Sequence, residues 1–350
     1  MHRPGLMLLC ALLTSPLACA EARWPYYSPG VGTIGETKLL GQGELAPRFL
    51  GHAEGEDLVI CSDLGRFVAR IRADDTVAWK HDTYPEWGPQ KVALADGMIV
   101  TAVGDAIVFL DTETGQVRKR CRPRPGQHIN FAFPVADGYV IGFESFKDAI
   151  DNQFAKNQVV IWNETQGQIW ANPVVTASAR SAVVWGDDVV IAATFRNLVI
   201  AVSRTTGKPV WHLPVYSPCD LKLTPDGRHL LIAEEHANRI VSVDQNQRVT
   251  VHFAAHHPLF QDATLPLRSL IERETETIDP LSVEPGLSLA AVENSGRYTL
   301  YSPNGLDVAD HYIYIADTDN HRIIKLTALK TISREISHVL NPTGVLILPH

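Results

Sequence analysis

The sequence predicts an all-β protein, a six-bladed β-propeller with four antiparallel strands in each blade. Two observations carry that prediction. The first is a unit that recurs with a period near forty: an apolar strand, a turn built on Asp or Asn with Gly, and a second strand ending near an aromatic residue. Val108 to Val117 states it most plainly, and Val159 to Trp170, Val199 to Trp211 and Ile240 to Val249 repeat it. With Asp111, Asn163, Ser203 and Asp244 as equivalent anchors, the spacings are 52, 40 and 41 residues. The second observation is a tight hairpin between copies, seen as Ala95-Asp96-Gly97-Met98, Ala136-Asp137-Gly138-Tyr139, Trp185-Gly186-Asp187-Asp188 and Pro225-Asp226-Gly227-Arg228. Asp and Gly stand there where a hairpin needs positive backbone angles, and the hairpin is expected to join the inner two strands of each blade. These acids therefore read as turn formers rather than as proton-transfer groups.

Composition agrees with a packed fold and removes some functions. Of 350 residues, 45% are hydrophobic and 20% charged, enough apolar content to fill a core. Lys and Arg number 31 against 39 Asp and Glu, a net charge of −8, which excludes nucleic-acid binding through phosphate neutralisation.

Taken in chain order, Met1 to Arg3 carry positive charge, Leu6 to Leu13 form a short apolar run, and Ala18-Cys19-Ala20 supply small residues before Glu21. This pattern predicts a signal peptide over 1–20 and a periplasmic or secreted protein. The run is too short to span a bilayer, and no later stretch has eighteen uninterrupted apolar residues, so no transmembrane segment is expected. Leu17-Ala18-Cys19 superficially resembles a lipid-attachment box, but Pro16 occupies the place that box gives to leucine, which makes a lipid anchor at Cys19 the lesser alternative. Residues 21–44 read as an N-terminal segment, and 45–350 as the propeller. The six blades fall at about 45–83, 84–125, 126–174, 175–214, 215–255 and 300–330, closed by a terminal strand at Val345 to Leu348 or at Thr33 to Lys38. From Asp244 to Leu326 is 82 residues, twice the period, which leaves room for a seventh blade. An insertion over 256–299 is the preferred reading, because Leu267 to Glu274 has helical rather than strand patterning. A second, shorter insertion lies near 145–157.

Loss of the leader removes Cys10 and Cys19 and leaves Cys61, Cys121 and Cys219. An odd count allows one disulfide with a spare thiol, or three free thiols, and none has the spacing of a zinc or redox motif.

Some stretches carry a family resemblance. Ser302-Pro303-Asn304-Gly305-Leu306-Asp307 followed by Ala316-Asp317-Thr318-Asp319-Asn320-His321-Arg322-Ile323 resembles an NHL repeat. Ser217-Pro218-Cys219-Asp220-Leu221 with Ala233-Glu234-Glu235-His236-Ala237-Asn238-Arg239-Ile240 is similar to a degenerate second copy. Thr-Gly turns followed by Trp resemble quinoprotein-type propeller repeats. The resemblance covers most of residues 45–330 and implies the fold. It also implies that His321 packs and bonds between strands rather than catalysing. It does not choose among lactonases, lyases and plain interaction platforms, which share this scaffold.

Periodicity predicts where a site would form. Residues at the start of each innermost strand gather around one end of the channel, which gives Arg48, Gln90, His128 with Asn130, Arg180, Asp220 and Asn304. Arg48, Gln90, His128 and Arg180 suit a small anionic ligand, since guanidinium groups present paired donors in a planar fork. Resemblance to the regucalcin and gluconolactonase propellers implies a second arrangement. There, Asn130, Asp220 and Asn304 would hold a divalent cation such as Ca²⁺, with Asp220 as general base. Arg48 in place of that family's glutamate, and Arg180 beside it, count against a cation. Tyr84-Pro85-Glu86-Trp87, rigid and aromatic, suits peptide or glycan contact and equally suits strand docking. The expected function is thus an exported propeller that binds a small anion or an envelope protein at the channel mouth. The alternative is a metal-dependent hydrolase, lactonase or lyase, and whether the protein is an enzyme stays open.

Overall fold

The computed structural model describes residues 56–144, 158–172, 178–254, 300–309, 312–327 and 332–349. The leader at 1–20, the segment 21–44 with Thr33 to Lys38, Arg48 and the two insertions lie outside the described residues.

Six four-stranded antiparallel sheets form the blades. From the centre outward, blade 1 contains Pro342–Ile347, Leu58–Ser62, Phe67–Ile71 and Val77–Asp82, and blade 2 contains Val92–Ala95, Met98–Val103, Ala106–Asp111 and Val117–Cys121. Blade 3 is His128–Val135, Gly138–Glu144, Gln158–Asn163 and Gly167–Ala171, and blade 4 is Ala179–Trp185, Asp188–Ala193, Leu198–Ser203 and Pro209–Pro214. Blade 5 is Pro218–Leu223, His229–Glu234, Arg239–Asp244 and Val249–Ala254, and blade 6 is Pro303–Ala309, Tyr312–Asp317, Arg322–Thr327 and Ile332–Ser337. The Asp-Gly hairpins join the inner two strands of their blades, as their turn chemistry requires.

The strand Pro342–Ile347 closes the ring by pairing with Leu58–Ser62, so the innermost strand of blade 1 comes from the C-terminus. Closure is visible in the packing as well. Strand residues alternate between two buried faces, so Leu58 and Ile60 meet Tyr314 and Ile323 of blade 6, while Val59 and Cys61 meet Val92 and Ile99 of blade 2. The other four blade interfaces carry apolar clusters of the same kind. Burial on both faces explains why the middle strands read as continuous apolar runs.

The aromatic residue at the end of the repeat has a physical role, seen in blade 1. Trp79 on the outer strand of blade 1 donates its indole N–H to Thr112 O at 2.9 Å in the turn of blade 2. Gly115 in that turn has φ +67, and a Cβ there would stand 2.5 Å from the Trp79 ring. Asp111 opens the turn by accepting from the backbone N–H groups of Glu113 and Thr114 at 3.1 and 2.8 Å.

Among the described residues the three cysteines are free. Burial pushes the Cys61 thiol up to about 12 and Cys219 above the usual thiol range.

Candidate functional site

Each inner strand begins at the same end of the channel, and in five of the six blades, all but blade 2, a bulge interrupts its start. Register shifts place Asn130, Arg180, Cys219, Asn304 and Thr343 at these bulges. Each bulge turns an extra residue out of the ladder. Gly305 and Gly344 follow two of them, where a Cβ would stand 2.6 Å from Thr343 O and 2.7 Å from Cys61 Sγ. The Pro-x-Gly triplets at 303–305 and 342–344 therefore let neighbouring inner strands approach closely.

Just inside the mouth lies a polar belt. Lys91, 4% exposed, donates to Asn304 O and stands 3.6 Å from Asp220 Oδ2. Asp220 accepts from Ser181 Oγ at 2.9 Å and from the backbone N–H groups of Leu221 and Leu306 at 3.0 and 2.9 Å. Both of its oxygens are engaged by blades 4, 5 and 6, with a lysine alongside. This is the geometry of a strut that ties inner strands together, not of a general base. The Asn304 amide donates to Glu235 Oε1 at 3.1 Å, and its Oδ1 lies 3.5 Å from Arg180 Nη1. The Asn130 amide donates to Ala179 O at 3.1 Å. Asn130, Asp220 and Asn304 thus serve separate strand contacts, and the lysine beside Asp220 would repel a divalent cation, so the set does not fit a metal cage.

Arg180 is the hub of the mouth, but its neighbours are acids. Its Nη1 is 3.9 Å from Glu235 Oε2, and Asp63 is within electrostatic range. Glu235, 1% exposed, also takes up Ser217 Oγ and Ser302 Oγ at 3.4 and 3.2 Å. Asp63 interacts with Glu144, which accepts from Ser178 Oγ at 3.0 Å, and Asp319 interacts with Glu235. Burial raises the carboxyls of both Asp63 and Asp319 to about 6. Asp63 and Glu235 face Arg180, Asp63 also senses Arg66, and the Arg66 guanidinium lies 5.3 Å over the Tyr84 ring. His128 makes an edge contact with Trp87 at 5.8 Å, and burial lowers its proton affinity. Gln90 sits half-buried just before Lys91. Asn130, Arg180, Asp220 and Asn304 stand near the starts of their inner strands.

Sequence reasoning missed Asp63, Glu144, Glu235 and Asp319. They stand at the ends of second strands or in the loops just after them, one strand away from the positions that periodicity selected. The Ala-Asp and Ala-Glu motif at 233–239 and 316–322 was the available signal. The structure resolves that motif into a strand clasp, Glu234 with Arg239 and Asp317 with Arg322, followed by the loop that carries the mouth's acids. His321 sits at the end of such a loop, where its Nδ1 accepts from Asn341 N at 3.1 Å.

Residues 40–246 and 155–278 match the protein family described as outer membrane protein assembly factor BamB. The chain belongs to that family. A protein of unknown function from Bacteroides caccae has a similar structure, with a TM-score of 0.60 at 10% identity, covering 85% of this chain and 100% of that one. A streptogramin B lyase, 13% identical, matches 86% of this chain and 90% of its own with a TM-score of 0.49. The WD40 propeller domain of Doa1, 10% identical, matches 86% and 88% with a TM-score of 0.49. At these identities the likeness is one of fold. No curated protein matches the sequence.

The mouth of this BamB-family propeller is ringed by exposed apolar side chains. Leu64 and Phe195 stand on loops between second and third strands, and Tyr84, Trp87 and Tyr301 stand on connections between blades. Tyr84 is 76% exposed and Trp87 57%. Both kinds of connection open on the end of the channel that holds Arg180. The opposite end is an apolar cavity of about 290 Å³ lined by Phe133, Val183, Leu221 and Leu346, with Lys222 at 3.6 Å from Asp307. Among the described residues no helix is long and apolar enough to cross a membrane.

Proposed function

We propose that this protein is an exported adaptor whose channel-mouth face docks a protein of the cell envelope. The observation that carries the reading is the one-sided distribution of exposed apolar groups. Among the described residues, Leu64, Tyr84, Trp87, Phe195 and Tyr301 share the mouth face, while Val117, Ile169 and Val210 stand on outermost strands. Exposed aromatics grouped on rigid loops mark protein contact surfaces. The family's description, an assembly factor of the outer membrane, supports an envelope setting, as does the leader pattern over 1–20. A small anion is the weaker fit, because Arg180 already faces carboxylates. Metal-assisted hydrolysis has less support still, since Asp220 is engaged as a strut.

Site-specific photo-crosslinking in the envelope tests the reading. A crosslinker at Trp87 or Phe195 is expected to trap one discrete partner, whereas the same group at Val117 or Val210 traps none. Equal labelling from both sets, or none from the rim, would overturn it.

A further inference from the structure

The groups inside the mouth say what a docking partner must bring. Asp63, Glu144 and Asp319 offer carboxylate oxygens around the already engaged Glu235, with the guanidinium groups of Arg180 and Arg66 in electrostatic range of Asp63. Asp63 makes no side-chain hydrogen bond among the described residues, although burial has removed much of its water. A separate observation comes from Asn130. It is 1% exposed, its amide N–H is held by Ala179 O, and its Oδ1 has no hydrogen-bond partner among the described residues. A buried acceptor left unpaired costs on the order of 1–3 kcal/mol, so an acceptor turned out of the ladder by a bulge at the channel mouth marks a place for a donor. Unpaired carboxylate capacity and an orphan carbonyl are both acceptors. Around them stands the apolar rim of Leu64, Tyr84, Trp87, Phe195 and Tyr301.

Resting on the docking reading above, we propose that the mouth receives an arginine side chain of the partner polypeptide, flanked by apolar residues that lie on the rim. Charge complementarity selects a cation, since an incoming carboxylate would meet four of its own kind. The planar guanidinium, with five donors, can satisfy several carboxylate oxygens and Asn130 Oδ1 together. The aromatic rim shields these contacts from water and strengthens them.

The test is calorimetric titration of the protein with three blocked five-residue peptides. Each has two leucines on either side of a central residue, which is arginine, its neutral isostere citrulline, or glutamate. The arginine peptide is expected to bind at least tenfold more tightly than the citrulline peptide. The advantage should shrink as salt rises from 50 to 500 mM, and should fall by tenfold or more in Asp63→Asn, a substitution that breaks no hydrogen bond. Trp87→Ala should weaken the arginine and citrulline peptides alike. Equal binding of arginine and citrulline, no measurable binding of either, or an unchanged Asp63→Asn would overturn the proposal. Preference for the glutamate peptide would overturn it in favour of an anion site. The peptide comparison alters only the ligand, so a folding defect cannot mimic it. Rim-specific crosslinks obtained alongside a failed arginine preference would show that the face docks a partner by other chemistry.

Discussion

Arg322 Nε lies 2.7 Å from Oδ2 of the fully buried Asp317, where the second and third strands of blade 6 part. Glu234 and Arg239 form the same pair in blade 5, with Arg239 Nη2 at 3.1 Å from Glu234 Oε1. Removing the cation leaves a buried carboxylate uncompensated. Arg322→Met should therefore destabilise the protein by about 3–5 kcal/mol in urea denaturation, and adding Asp317→Leu should recover much of that loss. An exposed pair such as Arg228 with Asp226 should change stability by less than about 0.5 kcal/mol when broken.

The close approach of the inner strands of blades 6 and 1 depends on the absence of a side chain. Gly305→Ala drives a Cβ to 2.6 Å from a backbone oxygen and should cost about 2 kcal/mol or more, because backbone cannot swing aside. Gly97, with φ +73 and open space around its missing Cβ, is the control. Gly97→Ala should cost about 1 kcal/mol, from backbone strain alone. Equal losses in the two variants would refute the steric account.

Asp63 gives stability a pH dependence of known sign. Its carboxyl releases a proton at about 6 in the folded protein, against an ordinary 3.8, mainly because burial penalises the charge. Between these values the folded state holds more protons than the unfolded one, so this group's contribution falls as pH rises from about 4 to 6 and is level above. Asp63→Asn should thus melt higher than wild type at pH 7.5, by about 1–2 kcal/mol in stability, with no advantage below pH 4. A gain that persists at pH 3.5 would point to a cause other than ionisation.

Calcium should leave the melting midpoint unchanged, as should a chelator, because the oxygens of Asp220 are already occupied by donors from three blades. A calcium-induced rise that Asp220→Asn abolishes would restore the cation reading.

Thiol labelling separates the cysteines. In the folded chain from residue 21 onward, Cys121, half-buried on an outermost strand, should react slowly, while Cys61 and Cys219 should stay unmodified until urea unfolds the protein. Mass spectrometry that finds Cys219 labelled under native conditions would contradict the buried contacts of its sulfur with Pro303 O and Ala233 O.

Much of the fold was legible because it rests on local chemistry. Val108 to Val117 shows why: two strand periods and the turn between them lie within ten residues, so pattern and turn type agree in one window. The two places for the closing strand both stay open on sequence, because both are short segments at opposite ends of the chain and ring closure is a contact that no local pattern records. Pairing of Val345 with Ile60 is contact across nearly the whole chain, and it selects the C-terminal strand. At the site, Arg180 and Asn304 were legible as residues at the start of inner strands. Their sign was not. Arg180 suggests an anion when read alone, and only the loops that bring Asp63, Glu144 and Glu235 beside it reverse that inference.

The sequence by itself determined the all-β class, the repeat with its period near forty and the hairpin turns, while the choice between six and seven blades waited for the six sheets of the structure. Class, repeat and turns follow from periods and turns spanning a few tens of residues. The tertiary structure alone decided which strand closes the ring, that Asp220 is a strut, and that the mouth carries more acid than base. Those depend on side chains from different blades meeting across a channel, and Coulomb interactions and desolvation act over distance in space rather than along the chain.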